Sequence, residues 1–404
     1  MLAVLALGAA LRVAVVALDL NSLSDDRDAY LALAEGLWND GQFGVGRPTA
    51  FRPPLYPMLL APIAAVEDET LANILRGVLN VIFGCIAIWG TGSLARRLTT
   101  PPRASVAAAL VAIDPLAVRY ASLAMTESLC MAAMVAVVLA AQRAAARRTL
   151  RAASLLGLFV GVAALSRPTV LAAGLAVTVV VTLPRWRLFA VATALAAVPV
   201  AIWTVRNAVS VGTATPLTTH GGYTLALGNN EAFYDDILDQ PWGTTWTDGQ
   251  QRWIGREQEA MAELGLVTEG QRDRFHRERA VQTITRRPSE FIAACWLRFR
   301  RFWAPTPVSP QPSRIVAVVL IAYYGGLYLF AIVGSLRLLA RDRRFALMLL
   351  APIAVFAGVH LLYWANARMR LPIEPFLAVL AVSAIPKIAV APVGRRDAAR
   401  EDAT

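Results

Sequence analysis

The sequence predicts an all-α polytopic membrane protein with about ten transmembrane helices and a mixed, mainly helical outer loop domain. Of its 404 residues, 57% are apolar and only 17% are charged, whereas soluble domains are closer to 45–50% apolar and 25% charged. The same figures exclude a disordered chain. The apolar residues form blocks long enough to cross about 30 Å of hydrocarbon. The blocks cover roughly 2–20, 71–95, 104–121, 124–142, 150–166, 168–184, 187–205, 314–338, 345–364 and 371–391.

Basic residues occupy every second connection between these blocks. By the positive-inside rule those connections are cytoplasmic, as are both termini, and segments 21–70 and 206–313 lie outside. The net charge of +11 therefore reflects topology, and we expect no nucleic-acid partner. We expect a multi-pass protein of the cell membrane, in a bacterial plasma membrane. We expect its active site on the extracytoplasmic side. The basic residues used are Arg96, Arg97, Arg103, Arg143, Arg147, Arg148, Arg151, Arg185, Arg187, Arg337, Arg341, Arg343, Arg344, Lys387, Arg395, Arg396 and Arg400.

Four regions follow from this arrangement. An N-terminal transmembrane module, 1–205, contains the first outer loop, 21–70. An extracytoplasmic loop domain, 206–313, includes a Trp/Arg-rich stretch at 288–304 that fits a helix lying in the membrane interface. C-terminal transmembrane helices, 314–394, precede a cytoplasmic tail, 395–404. The first block lacks a basic flank and a cleavage site, which favours a retained anchor over a signal peptide.

Three carboxylates open the first outer loop, directly after an apolar block. Asp25, Asp26 and Asp28 precede a helical pattern that begins at Tyr30. One interpretation is capping of that helix by an acidic residue. The other is a catalytic carboxylate that takes a proton from an acceptor hydroxyl or amine at the membrane surface.

Several further charged residues lie on the side that lacks topogenic charge. Arg52 sits in a proline-rich segment, Glu127 opens the fourth block, and Arg167 occupies an outer turn before a proline. Arg368 and Arg370 form a second outer cluster at the start of the last block. A guanidinium binds phosphate oxygens through a charge-assisted fork, so these arginines are candidate phosphate ligands. Snorkelling into headgroups is the alternative.

The order of short motifs along most of the chain resembles the GT-C class of integral-membrane glycosyltransferases, of the protein-mannosyltransferase and aminoarabinose-transferase type. The motifs are DDRDAYLALA (25–34), FRPPLYP (51–57), TESL (126–129), LSRPT (165–169), RN (206–207), GNN (228–230) and RMRLP (368–372). The resemblance implies a polyprenyl-phosphate sugar donor, inversion at the anomeric carbon and a catalytic Asp four residues before Tyr30. That residue is Asp26, with Asp28 and Asp25 as alternatives, and Arg27 replaces the acid that the family pairs with it.

The resemblance also implies donor-phosphate contacts for Arg167, Arg368 and Arg370. With them, the candidate substrate-binding residues are Tyr30, Arg52, Glu127, His220, Asn229 and Asn230. No metal ligands and no cofactor are predicted, although a divalent metal is compatible with the class. The expected activity is that of a hexosyl- or pentosyltransferase, which passes a sugar to a glycan, lipid or protein acceptor outside the membrane. A lipid-linked sugar or solute transporter, without transfer chemistry, and a non-catalytic membrane scaffold are the alternatives.

Overall fold

The computed structural model describes residues 1–183, 185–308 and 311–385, and almost all of its secondary structure is helical. Four 3₁₀ segments (Leu20–Leu23, Ala61–Ala65, Tyr120–Ser122 and Ala367–Ile373) and one antiparallel pair of strands, β1 (Gly44–Val45) and β2 (Arg47–Pro48), complete it. The helices are α1 (Leu2–Leu18), α2 (Tyr30–Asp40), α3 (Leu55–Leu60), α4 (Glu69–Ala95), α5 (Pro101–Ala112), α6 (Pro115–Arg119), α7 (Glu127–Arg147), α8 (Leu150–Ala164), α9 (Pro168–Thr182), α10 (Trp186–Val211), α11 (Gly221–Gly228), α12 (Glu231–Ile237), α13 (Thr247–Glu263), α14 (Glu269–Arg286), α15 (Pro288–Trp303), α16 (Arg314–Arg341), α17 (Arg343–Leu362) and α18 (Glu374–Ser383).

The predicted polytopic helical class is confirmed, whereas the count of ten spans is not. Among the described residues, five helices are long and apolar enough to cross a membrane: α4, α7, α10, α16 and α17. The apolar helices α1, α8 and α9 have only 17, 15 and 15 residues. At 1.5 Å per residue, fifteen residues reach about 22 Å, short of the hydrocarbon thickness. Residues 386–391 of the predicted last span lie outside the described residues.

The predicted third span is broken. Helix α5 ends at Ala112, and the segment Pro115–Ser122 continues at a bend of 52°. The carboxylate of Asp114 accepts the backbone N–H of Ala117 and so caps α6. A proline at the first position of α6 fits this geometry because it has no N–H to satisfy. The break places Arg119 at the end of the short second helix.

Small residues let the apolar helices pack closely. A Cβ at Gly157 of α8 would overlap the carbonyl of Ala192 in α10, and one at Gly334 of α16 would overlap the carbonyl of Leu380 in α18. Such close approach is typical of membrane helices, which associate through packing rather than the hydrophobic effect. Arg12 of α1 is buried here, and its guanidinium donates to the carbonyls of Val111 and Ala112 at the end of α5.

The two segments that the sequence placed outside meet at one end of the helices, which we call the site face. Thr49 of the first outer loop donates to Glu269 of α14 at 2.5 Å, and the Arg206 guanidinium donates to the Thr49 carbonyl at 2.6 Å. Helices α11 to α15 enclose a second, aromatic core with Phe233, Trp246 and Trp253. The expected interface helix is α15, which leaves Trp296 61% exposed beside Phe299.

Candidate active site

The three acids of the first outer loop take different positions. The carboxylate of Asp26 accepts the backbone N–H groups of Leu31 and Ala32 at 3.0 and 2.9 Å, and therefore caps α2. Asp25 pairs with Arg27 at 3.1 Å on the surface. Capping does not exclude a reaction at Asp26, because each carboxylate oxygen has a second lone pair and the residue is exposed.

Asp28 turns inward and binds two arginines. Its oxygens lie 2.8 Å from Nη2 of Arg52 and 3.4 Å from Nη1 of Arg368, and its side chain is 17% exposed. The next residue, Ala29, has φ +61°, a left-handed conformation that is uncommon for a residue with a Cβ. Burial alone would raise the pKa of Asp28, but Arg52 and Arg368 outweigh it and hold the pKa below its usual value.

Glu127 connects Arg368 to a further predicted arginine, Arg167. It is the first residue of α7, where the helix dipole favours an anion, and its side chain is fully buried. One oxygen lies 2.8 Å from Nη2 of Arg167 and 3.7 Å from Nε of Arg368. The structure thus links residues from four distant parts of the sequence. We call Arg167, Glu127, Arg368, Asp28 and Arg52, in that order of contact, the charged network.

Aromatic rings surround the Arg52 end of the network. Its guanidinium carbon lies 5.8 Å from the ring centre of Tyr30 and 5.3 Å from that of Phe51. Nη1 of Arg52 lies 3.4 Å from Nε2 of His220. Burial, and then the Arg52 charge, lower the pKa of His220 to about 3, so this imidazole is neutral at pH 7. The predicted residues Tyr30 and His220 therefore both lie beside the network.

The charged network keeps unsatisfied polar atoms. Arg52 Nε, Arg167 Nη1, Arg368 Nε and Glu127 Oε2 are buried and have no hydrogen-bond partner among the described residues. A buried donor or acceptor without a partner costs about 1–3 kcal/mol, and more when the group is charged. Such atoms are expected where a ligand or ordered water completes the site.

A cavity of about 640 Å³ opens beside Arg368, the central member of the network. Its described lining includes five arginines and no aspartate or glutamate. Val316 and Leu320 of α16 form an aliphatic wall on one side. We call it the cationic cavity. Its arginines are Arg27, Arg119, Arg301, Arg368 and Arg370.

Three predicted substrate-binding residues are held by the fold instead of joining the network. Nε of Arg370 lies 2.7 Å from Glu374, and Nη1 donates to the carbonyls of Phe302 and Ala304. Asn229 donates to the carbonyls of Leu225 and Leu362. Asn230 accepts the Phe233 N–H and caps α12.

Three arginines of the cationic cavity, Arg27, Arg119 and Arg301, were not among the predicted site residues. Arg119 was assigned to the third span, although the Asp114-Pro115 pair within that block is a helix-start signal that could have exposed the break. Arg301 was read only as part of the interface helix. It is 9% exposed and donates to the Thr244 carbonyl, a contact no sequence pattern indicates.

The described residues contain no group of three or more His, Cys, Asp or Glu side chains that could hold a metal ion. The three cysteines, Cys85, Cys130 and Cys295, are free. A metal-independent site remains a prediction.

Known proteins resemble this chain in sequence and in fold. A sequence model of the family described as dolichyl-phosphate-mannose-protein mannosyltransferase matches residues 51–206, less than half of the chain. That range contains Arg52, Glu127 and Arg167 of the charged network. A search of the curated proteins finds no match.

Solved structures extend the likeness to almost the whole chain. The archaeal oligosaccharyltransferase AglB from Archaeoglobus fulgidus, in complex with an inhibitory peptide and a dolichol-phosphate, has a TM-score of 0.53 and 16% identity over 95% of this chain and 50% of that one. The Archaeoglobus fulgidus oligosaccharyltransferase tethered with an acceptor peptide has a TM-score of 0.51 and 17% identity over 95% and 49%. This chain has a GT-C fold.

The resemblance to the GT-C class predicted from the sequence is thus confirmed for the fold. ArnT from Cupriavidus metallidurans bound to undecaprenyl phosphate is a more distant match, with a TM-score of 0.46 and 15% identity over 94% of this chain and 77% of that one. The chain spans about half the length of the oligosaccharyltransferase chains it matches.

Proposed function

We propose that the protein transfers a sugar from a polyprenyl-phosphate-linked donor to an acceptor at the site face. The observation that carries this proposal is the cationic cavity, whose five arginines adjoin an aliphatic wall on α16. A polyprenyl phosphate has the matching composition, an anionic head on a long apolar chain. The family description names a dolichyl-phosphate-linked sugar, and AglB was solved with a dolichol-phosphate, which supports this donor class.

The arginines of the cationic cavity other than Arg370, which Glu374 and two carbonyls hold, have two tasks in this reaction. They neutralise the phosphate when the donor binds, and they stabilise the charge that develops as the phosphate leaves the anomeric carbon. Arg368 suits both tasks, because it lines the cationic cavity and also contacts Asp28 and Glu127.

Asp26 is the proposed general base. Asp28 is bound by two arginines that lower its pKa, and it is therefore a weak proton acceptor that positions Arg52 and Arg368. Asp26 is exposed beside Arg27 of the cationic cavity and keeps free lone pairs. The acceptor O–H or N–H gives its proton to Asp26 and attacks the anomeric carbon, while the bond to the phosphate oxygen breaks and its electron pair leaves with the phosphate. Attack opposite the leaving group inverts the anomeric centre.

The proposal includes an orientation of the protein in the membrane. The connections rich in arginine meet at the end opposite the site face, where Nη2 of Arg97 lies 3.5 Å from Asp342. By the positive-inside rule that end is cytoplasmic and the site face is extracytoplasmic, in a bacterial plasma membrane. A compartment-specific reporter inserted at Gly249 should be active only outside the cytoplasm.

The experiment is mass spectrometry of lipid-linked sugars and surface glycans in a strain that lacks the protein. We expect one polyprenyl-phosphate sugar to accumulate and one glycan modification to disappear. Wild type and Glu35→Gln, a change at an exposed carboxylate on α2, should restore the modification, whereas Asp26→Asn should not. Unchanged lipids and glycans would refute the proposal. If Asp26→Asn restores both the glycan modification and the movement of the donor lipid across the membrane, the result would favour a transporter.

A further inference from the structure

A second cavity borders the Asp25–Ala29 loop at Ala29. It has a volume of about 450 Å³ and is enclosed by the first outer loop and by helices α13 and α14. This volume falls in the roughly 300–1,000 Å³ range of small-molecule sites. Arg52 also lines it, so it adjoins the charged network at Arg52, whereas the cationic cavity adjoins the network at Arg368. We call it the aromatic cavity, after Phe51, Tyr223 and Trp253 in its wall.

The charges of the aromatic cavity balance. Its lining contains the carboxylates Glu257, Glu269 and Asp273 together with Arg47, Arg52 and Arg272. Two of these carboxylates are occupied: Glu269 accepts from Thr49, Ala50 and Thr219, and Asp273 accepts from Gly222 and Arg277. The site therefore favours a ligand without net charge, in contrast to the cationic cavity.

Glu257 and His276 are two groups of this wall that have unsatisfied polar atoms. Glu257 is 5% exposed and His276 is 6% exposed. Glu257 Oε2 and His276 Nδ1 lie 3.5 Å apart, yet neither atom has a hydrogen-bond partner among the described residues. Arg279 lies 3.4 Å from the other oxygen of Glu257 and holds the carboxylate in place. A buried carboxylate in this state is a strong acceptor for a ligand hydroxyl.

Aromatic rings stand next to this pair. The ring centres of Tyr223 and Trp253 are 6.0 Å apart, and those of Trp253 and His276 are also 6.0 Å apart. Aromatic side chains of this kind offer a large apolar contact at low entropic cost. The apolar C–H face of a sugar ring fits against such rings, while its hydroxyls reach the carboxylate and imidazole.

We propose that the aromatic cavity binds the acceptor, and that the acceptor is a carbohydrate. This inference rests on the proposed function, because it names the second substrate of the same reaction. The anionic donor lipid and the uncharged acceptor occupy cavities of different charge, and the two meet at the Asp25–Ala29 loop. A glycan hydroxyl is then the nucleophile that gives its proton to Asp26.

The test is binding of the full-length protein, in lipid nanodiscs, to an array of immobilised oligosaccharides and to an array of peptides. We expect the wild type to bind a subset of the oligosaccharides. Glu257→Gln keeps the shape of the side chain but removes its charge, and loss of a charge-assisted hydrogen bond should weaken that binding at least about tenfold. The matched control is Glu259→Gln, at an exposed carboxylate on the same helix, which should bind as the wild type does.

A second variant, Tyr223→Leu at the half-buried part of the wall, tests the stacking contact if Glu257→Gln fails to fold. Peptide binding without oligosaccharide binding, no binding to either array, or wild-type oligosaccharide binding by both Glu257→Gln and Tyr223→Leu would overturn the inference. Polyprenyl phosphate binding, measured on the same samples, separates this failure from that of the proposed function. Retained lipid binding leaves the transferase proposal standing, and its absence in the wild type removes both.

Discussion

The two cavities beside the Asp25–Ala29 loop differ in charge more than in size. The cationic cavity has five arginines and no acid in its described lining, and its aliphatic wall lies on a helix long enough to span the membrane. The aromatic cavity has three arginines and three acids and is walled by polar helices of the outer domain. The charged network lies between them and contacts one cavity through Arg368 and the other through Arg52. Under the proposed function, an anionic donor and an uncharged acceptor bind in separate cavities that differ in charge.

The largest expected effect distinguishes the role of Asp26 from that of Asp28, the two carboxylates of the loop between the cavities. Asp26→Asn should lower transfer by about 10²–10⁴-fold, because the general base is lost, while donor binding and the thermal unfolding midpoint stay close to wild type. Asp28→Asn should lower both transfer and the midpoint, because two partly buried arginines lose their shared partner. Turnover and thermal unfolding of purified protein measure both quantities. Full activity of Asp26→Asn with inactive Asp28→Asn would make Asp28 the base.

A smaller effect is expected at the arginines of the cationic cavity. Arg368→Lys keeps the charge but loses the planar fork, so we expect apparent donor KM to rise about tenfold. Arg370→Lys is the matched comparison, since its guanidinium is taken up by Glu374 and two carbonyls. That variant should mainly lower the unfolding midpoint. The assignment of the phosphate to Arg368 is wrong if Arg370→Lys raises the donor KM and Arg368→Lys does not.

Sequence patterns predicted which residues lie at the site better than they predicted the contacts that those residues make. The arginines opposed to the topology bias, Arg52, Arg167 and Arg368, do meet in the charged network, because a cation on that side needs an anionic partner. Arg370 was grouped with Arg368, but residues two apart in a 3₁₀ turn point in different directions. Asp26 and Asp28 could not be separated from sequence, because the left-handed turn at Ala29 decides which carboxylate turns inward.

The pH dependence of stability should be set by His220, which lies beside Arg52 of the charged network. The folded-state pKa of His220 is about 3, below its usual value, so the unfolded chain takes up a proton below about pH 6.5 that the folded chain does not. Stability should therefore fall as the pH drops from about 6.5 toward 3, by about 2 kcal/mol at pH 5. The lowered pKa of Asp28 reduces stability only below about pH 5 and therefore does not affect a comparison between pH 7 and pH 5.

The His220→Gln variant measures this contribution. We expect its thermal unfolding midpoint to fall less between pH 7 and pH 5 than that of the wild type. An equal fall in both proteins would show that His220 is not held neutral by Arg52 and its buried surroundings.

The smallest predicted effect concerns the loop that separates the cavities. Ala29 is held at φ +61°, where a Cβ is unfavourable by roughly 1 kcal/mol. Ala29→Gly should relieve that strain and leave the unfolding midpoint unchanged or slightly raised, since the more flexible unfolded chain offsets part of the gain. A clear loss of stability would indicate that the Ala29 methyl group has a packing role.

In the proposed reaction the cationic cavity holds the phosphate of the donor lipid. An experimental structure of the protein in nanodiscs with a polyprenyl phosphate is the decisive measurement. We expect phosphate oxygens within hydrogen-bonding distance of the Arg368 guanidinium and an isoprenoid chain along Val316 and Leu320 of α16. A phosphate in the aromatic cavity, or one bound away from both cavities, would contradict it.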